Sequence, residues 1–122
     1  MNLNNMKKTL RSESTQKRYE KEMKKMKGEK GCRFCKLIKD KQLVVVQEFG
    51  EFILVHNQYA LDEYYSIDDM LLTKRHKKRL TGTQLLAVQT LEERYLDYDY
   101  QFANMPKQQS IPDHWHRHYF RR

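Results

Sequence analysis

A chain of 122 residues with 24 Lys and Arg, 16 Asp and Glu and five His carries a formal charge of +8. That length holds one modest core with room for a short extension, and so basic a surface favours a polyanionic partner such as a nucleotide or nucleic acid. No apolar run approaches the roughly eighteen residues of a membrane span, and no apolar segment follows the basic N-terminus as a secretory signal requires. A cytoplasmic protein with no membrane partner is expected.

Residues 1–31 hold ten Lys and Arg against four Glu, six of the eight net positive charges. Their apolar residues are sparse (Met6, Leu10, Tyr19, Met23, Met26) and cannot by themselves offset the entropy of ordering the segment. From Ser14 to Lys27 the residues are good helix formers, with Glu20 four positions before Lys24 as a supporting pair. The segment therefore reads as a basic extension, helix-prone or disordered, ending at Gly28 or Gly31. It serves as a solubilising tail or as a contact for nucleic acid or a dimer partner. The compact domain then runs over residues 32–122.

Cys32-Arg33-Phe34-Cys35 opens that domain. In a reducing compartment this spacing points to metal or redox chemistry. A redox pair would stand at the head of a long helix, whereas here a short Cys35-Lys36-Leu37-Ile38 segment runs into polar residues. The two thiolates fit better as half of a four-ligand zinc site completed by histidines from further along. Residues 42–47 and Phe52–His56 are apolar and β-branched, and Phe49-Gly50-Glu51 between them supplies a turn in which glycine takes positive φ. A hairpin follows.

A third strand is expected at about 70–73, after a loop rich in Tyr and Asp. The run Lys74-Arg75-His76-Lys77-Lys78-Arg79 fits a solvated turn. One main helix is expected over about 83–98, with Thr83 as its N-cap. Leu85, Val88, Leu91, Tyr95 and Leu96 give it an apolar stripe against the sheet, and Tyr95, Tyr98 and Tyr100 fit packing roles.

The chain closes on Asp113-His114-Trp115-His116-Arg117-His118-Tyr119-Phe120. In a strand, alternation puts His114, His116 and His118 on one face and Trp115, Arg117 and Tyr119 on the other. A row of three imidazoles is a poor way to fill a core. It suits a metal site or a nucleophilic imidazole with neighbours that donate to an oxyanion. The expected fold class is α+β, an antiparallel sheet of four to five strands with one main helix and the basic extension.

The order of CxxC, hairpin, Leu71-Leu72-x-Lys74-Arg75-His76, helix, Asn104, Gln109-Ser110 and HxHxH resembles the histidine-triad superfamily of nucleotide hydrolases and transferases, over roughly residues 32–120. The resemblance implies that His116 attacks the α-phosphate of a bound nucleotide, a purine nucleoside phosphate derivative, to form a nucleotidyl-histidine. His114, His118, Ser110 and Gln109 would hold the phosphate oxygens or the leaving group. His56 and Asn57 stand where the family holds the ribose, and Asn104 resembles its asparagine near the phosphate.

Zinc-bearing relatives, including the galactose-1-phosphate uridylyltransferase branch, imply structural zinc on Cys32, Cys35, His76 and His114, with the ligand role preferred for His114. A homodimer is also implied. The chain departs from the family in lacking a Pro before Lys74-x-His76, in an Asp at a histidine position assigned to Asp69, and in one extra residue between Ser110 and His114. The alternative is a non-catalytic, zinc-stabilised protein of the same fold that binds nucleotides, or nucleic acid through residues 1–31.

Overall fold

Five strands form one sheet in the order β1-β2-β3-β5-β4, with every neighbouring pair antiparallel. They are β1 (Val45–Phe49), β2 (Phe52–His56), β3 (Ile67–Thr73), β4 (Tyr100–Phe102) and β5 (His116–Arg121), joined by helices α1 (Glu13–Lys27), α2 (Arg33–Lys39) and α3 (Gly82–Arg94). This is a computed structural model, and it describes residues 11–27, 30–60, 62, 66–103, 111 and 113–122. The α+β class expected from the sequence is the class observed.

The sheet is covered on both sides. On one face Phe34 and Leu37 of α2 pack on Ile53, Val55, Met70 and Leu72; on the other Val88 of α3 packs with Phe52, Leu54, Leu71 and Tyr119. Strands β2 and β3 are thus buried on both faces, which is why they read as near-continuous apolar runs rather than alternating ones. Alternation survives in β5, where Trp115 and Tyr119 join the α3 face.

The β1–β2 hairpin turns at Gly50, which takes φ of 60° as the sequence requires. Strand β1 begins at Val45 rather than residue 42, and a register shift between Val45 and Gln47 interrupts its pairing with β2. Strand β3 starts at Ile67, three residues earlier than expected. Asp68 and Asp69 hide its start from a hydrophobicity pattern, yet both are buried strand residues.

Three corrections concern helices. The chain forms a short helix, α2, where only a short segment was expected, and Cys32 caps it through its sulfur, which accepts from the Cys35 N–H at 3.5 Å. The N-cap of α3 is Thr81, not Thr83. Its hydroxyl accepts from the Gln84 N–H while the Gln84 side chain accepts from the Thr81 N–H, and this reciprocal box outcompetes the lone hydroxyl two residues on. Helix α3 also ends at Arg94, so Tyr95, at 65 % exposure, and the half-exposed Leu85 lie outside the core stripe assigned to them. Tyr98 packs as expected, whereas Tyr100 is exposed on the edge strand β4.

Helix α1 is docked on the domain by its polar N-terminus. The Ser12 hydroxyl accepts from the Thr15 N–H, as an N-cap should. Asp62 accepts from the Ser12 N–H at 2.7 Å and from the Thr15 hydroxyl at 2.7 Å. Partial burial opposes ionisation of Asp62, but those hydrogen bonds hold its carboxyl below the ordinary value. Arg11 is buried, donates to the Tyr59 carbonyl at 2.8 Å and lies over the Tyr19 ring at 3.9 Å. Glu22 pairs with Arg33 of α2.

Candidate functional site

Strands β3 and β5 are register partners, with Leu72 opposite His116. The loop leaving β3 and the turn entering β5 therefore meet at one end of the sheet, bringing His76 and His114 together. The first turn of α2 carries Cys32 and Cys35 to the same place. The four donor atoms of Cys32, Cys35, His76 and His114 all lie within 4.8 Å of one another. Residues spread over 83 positions of the chain thus converge on one point.

The donor chemistry fits a tetrahedral thiophilic cation. His114 Nδ1 lies 3.3 Å from Cys32 Sγ and 3.4 Å from Cys35 Sγ, and His76 Nδ1 lies 3.4 Å from Cys35 Sγ. Bonds of about 2.3 Å to sulfur and about 2.0 Å to nitrogen at the tetrahedral angle put ligands about 3.5 Å apart. His114 is fully buried, and its Nε2 donates to the Thr73 carbonyl at 2.7 Å. That bond fixes the tautomer and aims Nδ1 at the sulfurs, as a second-sphere carbonyl does for a metal-bound histidine. With both nitrogens committed, the ring points away from any phosphate.

Protonation agrees. Burial lowers the His114 pKa, favouring the neutral ring a cation needs. Without a cation, burial and the adjacent Cys32 sulfur push the Cys35 thiol up to about 11. Two neighbouring sulfurs cannot both ionise cheaply unless a positive charge lies between them.

From this cluster the histidine row continues along β5. His116 Nδ1 lies 3.0 Å from the backbone oxygen of His114, and the His116 ring packs edge-on against Phe34. His118 is buried and donates from Nδ1 to Asp68 Oδ1 at 3.2 Å. Asp68 also accepts from the Asn57 amide at 2.9 Å. A carboxylate buried next to the histidine row was missed in the sequence. The signal lay in the pair Asp68-Asp69 immediately before the apolar Met70-Leu71-Leu72: on a strand, neighbours face opposite ways, so one acid of the pair must face the histidines. The acid that faces the histidines is Asp68.

Asp69 faces the other side. It accepts from His56 Nδ1 at 2.5 Å and from the Tyr98 hydroxyl at 2.6 Å. Burial first, then Asp69, holds the Tyr98 hydroxyl protonated well above its ordinary range. His56 is register partner of Asp69, so its ring lies on the α3 face while Asn57, one residue on, turns toward Asp68. Asn104, Gln109 and Ser110 lie outside the described residues.

A cavity of about 80 Å³ opens beside His116 and His118. Phe34, Met70 and Asn57 line it, together with Tyr19, Met23 and Met26 of α1. Sequence reasoning did not anticipate that α1 would border the histidine row.

No protein-family model matches the chain, and no curated protein matches it. Among the described residues no helix is long and apolar enough to cross a membrane.

Proposed function

We propose that the protein is a histidine-triad-type nucleotide hydrolase or nucleotidyltransferase acting at the α-phosphate of a purine nucleoside phosphate derivative. A zinc ion on Cys32, Cys35, His76 and His114 belongs to the same reading. The observation that carries it is the double commitment of His114. Its ring faces the two sulfurs, while its backbone oxygen accepts from His116 Nδ1. A carbonyl only accepts, so the proton sits on His116 Nδ1 and the lone pair on Nε2. The His114 carbonyl thereby sets the tautomer that a nucleophilic imidazole needs.

The chemistry balances in two steps. The Nε2 lone pair forms a bond to phosphorus as the bond to the leaving group breaks, and the leaving group departs with that electron pair and takes up a proton. Water or an acceptor hydroxyl then attacks phosphorus and gives up its proton, and the N–P electron pair returns to Nε2. Charge building on the phosphate oxygens needs donors already in place. His118, braced by Asp68, is the described side chain suited to that role, and Gln109 and Ser110 would join it by resemblance. Cys32, Cys35, His76 and His114 would hold the zinc, which would balance the charge of the two thiolates and tie the start of α2 to the histidine strand.

Release of AMP from adenosine phosphoramidate and diadenosine polyphosphates tests the proposal. The zinc-replete protein is expected to turn over one class or both. His116→Ala is expected to lose at least about a thousandfold, in line with loss of a covalent nucleophile, with its circular dichroism unchanged. Equal turnover by the variant would sink the assigned nucleophile. A two-fold homodimer is part of the same reading, and light scattering checks it.

A second reading has its own support: Lys17, Lys21, Lys24 and Lys25 are exposed on α1. In that case the fold is a non-catalytic, zinc-stabilised binder of nucleic acid. It predicts no turnover, together with an RNA or DNA affinity that falls steeply with salt and disappears when those lysines become glutamine.

A further inference from the structure

Helix α1 exposes Lys17, Lys21, Lys24 and Lys25 to solvent, yet it turns Tyr19, Met23 and Met26, with Glu22 among them, toward the cavity beside the histidine row. Tyr19, Met23 and Met26 line the cavity from the α1 side, with Phe34 and Met70 opposite and His116 at one end. The helix is not resting there loosely. Its start is capped from Asp62, Arg11 is locked to the Tyr59 carbonyl, Tyr19 meets the Tyr59 ring edge-on at 5.8 Å, and Glu22 pairs with Arg33. Four separate contacts along three turns fix the height of the helix above the sheet. They hold the inner surface at the distance that leaves a slot.

The size and chemistry of the slot select its occupant. Its volume of about 80 Å³ is room for about five to eight waters, at roughly 10–15 Å³ for each water centre. That is the bulk of one bicyclic ring system rather than of a whole nucleotide. Thioethers and aromatic rings on both sides suit a flat, polarisable group. Arg11, Glu22 and Arg33 also line the slot, with Glu22 paired to Arg33, while His116 and His118 suit a phosphate.

We infer that Tyr19, Met23 and Met26 form one wall of the site for the nucleobase, so that the basic extension determines which base reaches His116. This rests on the nucleotide reading above and assigns the substrate's base to a clamp between α1 and α2. Asn57 and His116 line the same slot, so the ribose and the α-phosphate of a base held there would fall to them.

Titration calorimetry of the full-length, zinc-loaded chain tests it, with AMP and ribose 5-phosphate as the two probes. The unmodified chain is expected to bind AMP at least about tenfold more tightly than ribose 5-phosphate, the size of a well-made base stack. The Met23→Ala/Met26→Ala variant is expected to lose about tenfold in AMP affinity while binding ribose 5-phosphate unchanged. Met23→Leu/Met26→Leu, which restores the volume, is expected to return AMP affinity to within about threefold. Should the alanine pair loosen α1 by circular dichroism, Met23→Gln keeps length and helix propensity and carries the same expectation.

AMP affinity within twofold of the unmodified chain in the alanine variant overturns the inference, as does equal binding of AMP and ribose 5-phosphate by the unmodified chain. If turnover that depends on His116 persists alongside either result, the enzyme reading stands and the α1 wall alone is wrong. If the chain neither binds AMP nor turns over nucleotides, both fall.

Discussion

Asp68 and Asp69 are adjacent, identical in chemistry and almost equally buried, at 4 % and 3 % exposure. They belong to different halves of the molecule. Asp68 braces His118 and meets Asn57 on the face that carries the histidine row, α2 and α1; Asp69 braces His56 and Tyr98 on the α3 face. Burial alone does not separate a working carboxylate from a structural one, since each is satisfied by two partners in the way buried acids must be. What separates them is the neighbourhood. On the Asp68 side His118 lies edge-on to His116 beside a cavity, in a row that begins at four candidate cation ligands, whereas on the Asp69 side the hydrogen bonds end in a histidine and a tyrosine.

The largest expected effect comes from the four-ligand cluster, where the Asp68 face is anchored. Stripping the metal, or changing His76 to Ala or Cys35 to Ser, is expected to remove about one zinc per chain and to destabilise the fold by more than about 4 kcal/mol. Elemental analysis paired with thermal melts checks this. A melting curve indifferent to chelation would leave the cluster without a structural role.

The comparison itself is sharpened by the pair Asp68→Asn and Asp69→Asn. Both are expected to cost roughly 1–3 kcal/mol, the penalty for unbalancing a buried hydrogen-bonded group. Turnover should distinguish them: a loss of about 10–100-fold for Asp68→Asn, the size typical of a group that orients a functional side chain, and less than about twofold for Asp69→Asn. The reverse ranking in steady-state rates would move the functional face to the α3 side.

Proton linkage gives a third test. In the metal-free protein the folded Cys35 thiol is raised from an ordinary value near 9 to about 11. Over that window the folded state holds a proton that the unfolded state has released, so stability falls as pH rises through it. The contribution is complete below about pH 9 and gone above about pH 11. With zinc bound the sulfurs are already ionised and this loss should vanish, which urea melts of both forms across that range would reveal. A metal-free curve flat from pH 9 to 11 would contradict the assigned burial of the thiol.

The smallest effect lies on the opposite face, within α3. Leu86 is 63 % exposed and Val88 1 %. Leu86→Ala is expected to change stability by less than about 0.5 kcal/mol, and Val88→Ala to cost roughly 1–3 kcal/mol. Urea denaturation that ranked the two the other way would place the wrong side of α3 against the sheet.

Several of these features could be read from the sequence, and the reasons are local. Gly50 marked a turn because only a residue tolerant of positive φ closes that hairpin, and it has φ of 60°. The alternation of His114, Trp115, His116, Arg117, His118 and Tyr119 fixed two faces whatever lay against them. Trp115 and Tyr119 do pack on the α3 side while His116 meets Phe34 on the other. The CxxC thiolates pointed to a cation site, and the four residues that the family resemblance implied as its ligands, Cys32, Cys35, His76 and His114, do converge.

Where sequence reasoning slipped, a competing local bond or a long-range partner decided. The Thr81–Gln84 box displaced Thr83 as the cap of α3. The start of β3 was hidden because its acids are stabilised by His118, His56 and Tyr98, residues 13 to 50 positions away.

Residue types, helix-forming runs and strand alternation are properties of short stretches, and the sequence alone determined them: a basic α1, an apolar β2, a histidine strand and a set of cation ligands. Which aspartate meets the histidines, and that α1 lies over them rather than away in solvent, only the tertiary structure decided. Both depend on register between β3 and β5 and on Asp62, Tyr59 and Arg33 gripping a helix far from them in sequence. Such contacts follow from the free energy of the whole fold, because a one-residue slip in pairing would exchange the two faces without altering a single local preference.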